Sequence, residues 1–228
     1  MTDKTEGIKI FFDAFRKLQK FIDEYCRGEF EFEGLILSCC YLDSLAGYKY
    51  GGKSSGQRFS KFINEYSGKK ECWTKIALPI LLQDIPKLGI DSKLSTRLKR
   101  FLNQGMKVRP ANYTKYGHNV DTDWHSLEEQ LRREFTSDEV ESLKRKIEYY
   151  QYSYLLWQNY RNPAIHETAK RNHANNIAGA KEPYYHGGYS KVRFGIPEEF
   201  IFETLQNCIS NFEKECVEKQ WDPILDKE

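Results

Sequence analysis

The sequence has no long hydrophobic run. No stretch approaches the roughly 18 consecutive apolar residues of a membrane-spanning helix, so a helical integral membrane protein is excluded. It also has little net charge. The 35 Lys and Arg stand against 33 Asp and Glu, a formal charge of +2. A protein that holds nucleic acid by charge alone carries a strong basic excess, so any polyanion site here must be a local patch. No Cys-x-x-Cys pair occurs among the six cysteines, Cys26, Cys39, Cys40, Cys72, Cys208 and Cys216. Zinc-knuckle spacing is therefore absent, no metal or other cofactor is expected, and the thiols read as reduced, small, hydrophobic core residues. G-x4-G-K-[ST] and G-x-S-x-G are absent too, which argues against P-loop nucleotide hydrolysis and elbow-type serine esterases. The opening MTDKTEGIKIFF carries acidic residues and no apolar core before a cleavage site, so it does not read as a secretory leader. These absences predict a soluble, cytoplasmic protein with no membrane partner.

What is present suits a globular chain. It has 228 residues, 39% hydrophobic and 14% aromatic. A chain of that length buries roughly 70% of its unfolded surface, so it needs no disulfide or metal to fold. The length fits one large domain spanning 1–228.

The periodicity is helical. Ile8, Phe11, Phe12, Phe15, Leu18, Ile22 and Tyr25 recur at three- and four-residue steps, predicting a helix over 4–26. Leu35, Ile36, Cys39, Leu42 and Ala46 predict a second over 31–48. Phe59, Phe62, Ile63 and Tyr66 mark a short third. Trp73 to Leu82 is apolar enough for a buried helix that Pro79 either kinks or starts. Leu94, Leu98, Phe101 and Leu102 give another. Residues 103–121 lack periodicity and read as a long loop, a feature that in compact domains is functional or mobile. Thr136 and Glu139 form a capping box. The helix it opens is predicted to run unbroken through Val140, Leu143, Ile147, Tyr150, Tyr154 and Trp157 toward Arg161. Lys191–Phe194 alternates like a strand, and Pro197 is placed to begin a last helix. The expected fold is all-α: a helical bundle with long connecting loops and at most a minor β-hairpin near 184–196.

The chemistry-bearing stretch is Tyr160-Arg161-Asn162-Pro163-Ala164-Ile165-His166-Glu167. It places a permanent cation, an amide, an imidazole and a carboxylate within a few residues. A guanidinium can grip a phosphate through two parallel bonds. An imidazole moves protons near neutral pH. Together they could cleave RNA without metal, His166 transferring the proton while Arg161 stabilises the charge on phosphorus. On a straight α-helix the five-residue step is about 500°, leaving Arg161 and His166 about 140° apart. Pro163 breaks that geometry, and a kink there, or a second subunit, would bring the two side chains to one site.

Arg161, Asn162 and His166, late in a helical bundle, resemble the R-x(4–6)-H motif of the HEPN superfamily, in which Asn is among the residues favoured after the Arg. The match covers roughly residues 136–170. The resemblance implies a small, usually dimeric bundle with metal-independent endoribonuclease activity, the Arg–His pairs of two protomers meeting at the interface. It implies a place in prokaryotic defence or toxin–antitoxin systems, with RNA, a second copy of the chain, and an antitoxin or other protein as partners. Some members are non-catalytic binding modules, and that is the alternative function. The tyrosine that some HEPN toxins carry two residues past the His is Thr168 here. Pro163 inside the motif is a further departure.

Three more residues support the motif: Asp43, Glu167 and Tyr160. Asp43 is a carboxylate on an otherwise apolar helix. It is expected either to orient His166 or pair with Arg161 across the bundle, or to be an ordinary solvated or internally paired residue. Two basic, aromatic segments flank the motif in sequence: Lys107, Arg109 and Lys115 in the long loop, and Lys170, Arg171, Tyr184 and Tyr185 after it. Cations give phosphate affinity and rings stack on unpaired bases, so these are the expected RNA contacts. The competing expectation is that the cations solvate loops while the tyrosines pack beneath them.

Overall fold

The computed structural model of the chain describes residues 4–27, 30–52, 54–106, 115–116, 120–161, 180–188 and 191–226. The chain divides into two units, each discontinuous in sequence. The first comprises Met1–Lys70, Leu156–Lys170 and Glu198–Glu228; the second comprises Glu71–Leu155 and Arg171–Pro197. The fold is all-α with small antiparallel sheets.

The first unit is helical. α1 (Lys4–Phe21) continues through a π-helical turn, Ile22–Cys26, and α2 (Glu31–Tyr50) and α3 (Ser55–Tyr66) follow. Their apolar stripes are those expected: Phe12, Leu42, Phe59 and Phe62 are all fully buried. Helix Glu198–Lys219, the last described, closes the core. Its Phe212 ring lies 5.5 Å from that of Phe12 and 5.4 Å from that of Phe62, edge-on to both. Edge-to-face contact sets the positive ring edge against the negative face and adds to the area buried. At Gly34 a Cβ would come within 2.7 Å of the Cys26 Cβ, so glycine is what lets α2 approach the turn after α1. Lys49 is gripped from two sides. Its ammonium lies 2.6 Å from Glu215 and 5.0 Å from the Trp221 ring.

The second unit mixes helices with short strands: α4 (Lys70–Trp73), β1 (Lys75–Ile76), α5 (Leu78–Asp84), α6 (Ser92–Arg100), β2 (Lys115–Tyr116), β3 (Thr122–Asp123), α7 (Trp124–Leu131), α8 (Ser137–Ile147), α9 (Tyr152–Leu156), β4 (Tyr184–Gly188) and β5 (Lys191–Gly195). Helix Glu198–Lys219 is thus α10. Leu81, Leu98, Leu127, Leu131, Leu143 and Ile147 share one core cluster. Pro79 lies in the first turn of α5, so it starts that helix rather than kinking one already begun. Strands β4 and β5 form the expected hairpin, and β2 adds a third strand to it. The capping box is present, with the Thr136 hydroxyl accepting from the Glu139 N–H and the Glu139 carboxylate accepting from the Thr136 N–H.

The unbroken helix expected after that cap does not form. α8 ends at Ile147, a 3-10 turn follows, and Gln151 is extended at ψ 145 before α9 begins. Gln151 pairs with Ile76 as an isolated antiparallel bridge, and Tyr150 accepts the Ala77 N–H at 2.9 Å. Tertiary pairing overrides the helical periodicity there.

Candidate functional site

Arg161 ends the π-helical turn Trp157–Arg161 that extends α9. A π turn is a widened turn with poorer packing, and such turns recur at functional positions. The neighbouring Tyr160 is buried. The Arg161 guanidinium reaches α2 and donates from Nη2 to Asp43 Oδ2 at 2.5 Å. Asp43 is 6% exposed. It sits on the helix face that carries Leu35, Cys39, Leu42 and Ala46, so its charge requires a partner. Of the roles weighed for Asp43, the geometry shows the pairing with Arg161, which an internally paired structural residue would also make; His166 lies outside the described residues.

A third residue joins them. Arg58, on α3, donates from Nη2 to the other carboxylate oxygen at 3.3 Å and from Nη1 to the Gly51 carbonyl at 3.3 Å. Three elements therefore meet at one carboxylate. Asp43 divides its two oxygens between two guanidiniums, and among the described residues the group carries two positive charges against one negative. The Nε atoms of Arg58 and Arg161 are both buried and have no hydrogen-bond partner among the described residues. Sequence reasoning missed Arg58. It lies four and eight residues before Phe62 and Tyr66, a cation on the apolar stripe of α3, and that misplacement is the signal that would have found it.

Two thiols lie near. Burial pushes the Cys39 thiol up, with Cys40 adding to the rise, Arg161 opposing it and Asp43 adding again. Cys40 is raised by burial, opposed by Arg161 and reinforced by Asp43. Neither is a ready thiolate, so the group is not a cysteine-nucleophile site.

Asn162, His166, Glu167, Lys107, Arg109, Lys170 and Arg171 lie outside the described residues. For Lys115 only the backbone, in β2, is described. Tyr184 and Tyr185 correct an expectation: both are fully buried, so neither ring is presented for base stacking. The reason is the register of the hairpin. Tyr184 pairs with Gly195, whose missing side chain leaves the space the Tyr184 ring fills; a Cβ there would come within 2.5 Å of it. Tyr185 donates its hydroxyl to Asp121 Oδ2 at 2.5 Å.

Asp121 is the second unit's counterpart to Asp43. Tyr152 also donates to Oδ2, and the Leu78 N–H donates to Oδ1 at 2.9 Å. Desolvation pushes this carboxyl up to about 7, against the opposing pull of those three donors and of Lys75. Among the described residues no group of three His, Cys, Asp or Glu could hold a metal ion. No described helix is long and apolar enough to cross a membrane. No protein-family model, curated protein or solved structure matches the chain.

Proposed function

We propose that the chain is a metal-independent endoribonuclease of HEPN type. The observation that carries this reading is the Arg161 guanidinium, held by Asp43 in the first unit at the head of the Arg161-Asn162-x-x-x-His166 motif. A cation braced in this way is pre-organised, so it loses little freedom on taking up a phosphate. In this mechanism Arg161 holds the scissile phosphate and stabilises the charge that builds on it. His166 takes the proton from the ribose 2′-hydroxyl or returns one to the leaving oxygen. Asn162 positions the motif or the substrate. A homodimer brings two such motifs to one site, and an antitoxin or other regulatory protein is the second partner. The biological setting is prokaryotic defence or a toxin–antitoxin pair.

The second reading is a non-catalytic HEPN-like module that binds RNA or a protein. One observation favours it: Arg161 is already paired with Asp43 from within the chain, as a structural cation would be.

The deciding experiment is incubation of the purified protein with labelled single-stranded and structured RNAs in EDTA, beside His166→Ala and Arg161→Ala. The expected result is cleavage by the wild type alone, leaving 2′,3′-cyclic phosphate ends, with both variants folded and inactive. No cleavage across a broad panel, or equal cleavage by His166→Ala, would reject the enzyme in favour of the module.

A further inference from the structure

Among the described residues, the first unit gathers more positive charge at Asp43 than one carboxylate neutralises. Arg58 and Arg161 converge on it from α3 and from the turn after α9, at 3.3 and 2.5 Å. A guanidinium has five N–H donors in a fixed fork. Asp43 accepts one from each arginine, and Gly51 accepts one more from Arg58. The Nε atoms of both are buried, so the donors left for a ligand are the Nη N–H groups that Asp43 and Gly51 do not take. The side chains are neither sealed nor free: Arg58 is 23% exposed and Arg161 18%. Surplus donors, surplus charge, partial exposure and a shared anchor are what a phosphate clamp requires, because two forks held at a fixed separation grip one tetrahedral anion.

We infer that Arg58 is a second phosphate-binding residue, which with Arg161 clamps one phosphodiester of a bound RNA, Asp43 being the brace that aims both guanidiniums. Asp43 acts through the arginines and touches no substrate. The inference rests on the RNA-directed reading for the identity of the phosphate, but not on cleavage.

The test therefore separates binding from cleavage. A fluorescent 2′-O-methyl RNA, which cannot be cleaved through its 2′-oxygen, is titrated by anisotropy at several salt concentrations. The proteins are wild type, Arg58→Ala, Arg58→Lys, Arg161→Ala and Lys17→Ala, the last removing one exposed cation elsewhere on the first unit. Arg58→Ala is expected to bind about ten-fold more weakly, its salt dependence shallower by about one unit of slope, as for one lost phosphate contact. Lys17→Ala is expected to match the wild type. Arg58→Lys keeps the charge and the aliphatic stem but not the fork. Its expected loss is about three-fold with the slope retained, and it decides the matter if Arg58→Ala melts below the assay temperature. Folded Arg58 variants that bind like the wild type would overturn the inference, as would a wild type that binds no RNA. Cleavable RNA run in parallel keeps the two readings apart. Wild-type binding lost in Arg58→Ala, with no cleavage by any protein, upholds the clamp and rejects the nuclease. Cleavage by the wild type with Arg58→Ala unimpaired does the reverse.

Discussion

Each unit encloses a carboxylate, and the two are stabilised by opposite means. In the first, Asp43 faces two guanidiniums, so charge answers charge. In the second, Asp121 faces two tyrosine hydroxyls and one amide N–H. Neutral dipoles satisfy oxygens without supplying a compensating charge, and Lys75 gives only the smallest opposing pull, so desolvation prevails and the Asp121 carboxyl rises to about 7. Guanidinium partners hold a carboxylate to one geometry and, in the clamp proposed above, leave positive charge for a ligand. Hydroxyl partners pin a loop to a hairpin and leave a proton that comes and goes near neutrality. One arrangement suits a binding group. The other suits a fastening whose strength depends on pH.

The largest expected effect breaks the first arrangement. Asp43→Ala strands two partly buried guanidiniums beside each other. Removing one member of a buried ion pair is expected to cost about 3 kcal/mol, read as a fall in urea midpoint with unchanged slope. A loss below about 1 kcal/mol would show that the two arginines find other partners. Adding phosphate is expected to recover part of the loss, since the anion replaces the missing charge.

The next effect concerns sign. Asp121 has a higher pKa folded than unfolded, so the native state binds the extra proton. Its contribution is fully present below the ordinary carboxyl range and is lost as pH rises toward about 7, after which it is constant. Melting curves of the wild type and Asp121→Asn from pH 4 to 8 are expected to converge or cross over that window. The wild type should lose stability relative to the variant by a few kcal/mol as pH rises. A constant difference between the two would mean that Asp121 does not titrate there.

The smallest effect is a reference. Thr136→Ala removes the hydroxyl that caps α8 and is expected to lower stability by about 1 kcal/mol at every pH. A larger change would mean that this cap also supports the Arg97–Glu139 pair, which joins α6 to the same turn.

Local features were legible in the sequence and pairings distant along the chain were not. The capping box, the apolar stripes of α1 to α3 and α10, and the hairpin are each written in residues a few positions apart. Asp43 stood out because a carboxylate on an apolar helix face must be answered, and its pairing with Arg161 was one of the roles it could take. Arg58 carried the same signal with opposite sign and was passed over. The Gln151 break was hidden because Ile147, Tyr150, Tyr154 and Trp157 continue the helical period across it; its cause is Ile76, far away along the chain. Asp121 had no signature at all. An acid at the end of an aperiodic loop reads as solvated, and only the two tyrosines brought to it by the fold make it otherwise. Tyr184 and Tyr185 misled for a related reason: aromatic residues beside lysines fit a stacking surface and a packed hairpin equally well until Gly195 is placed opposite one of them.

The order of segments in the first unit has a consequence for how the protein is made. Its helices α1, α2 and α3 leave the ribosome early, but α10, which buries Phe212 against both Phe12 and Phe62, is synthesised after the whole of the second unit. Until residues 198–219 emerge, the first core lacks one wall, and the helices that carry Arg58 and Asp43 are only partly supported. The clamp proposed above is thus supported on all sides only once residues 198–219 have been made.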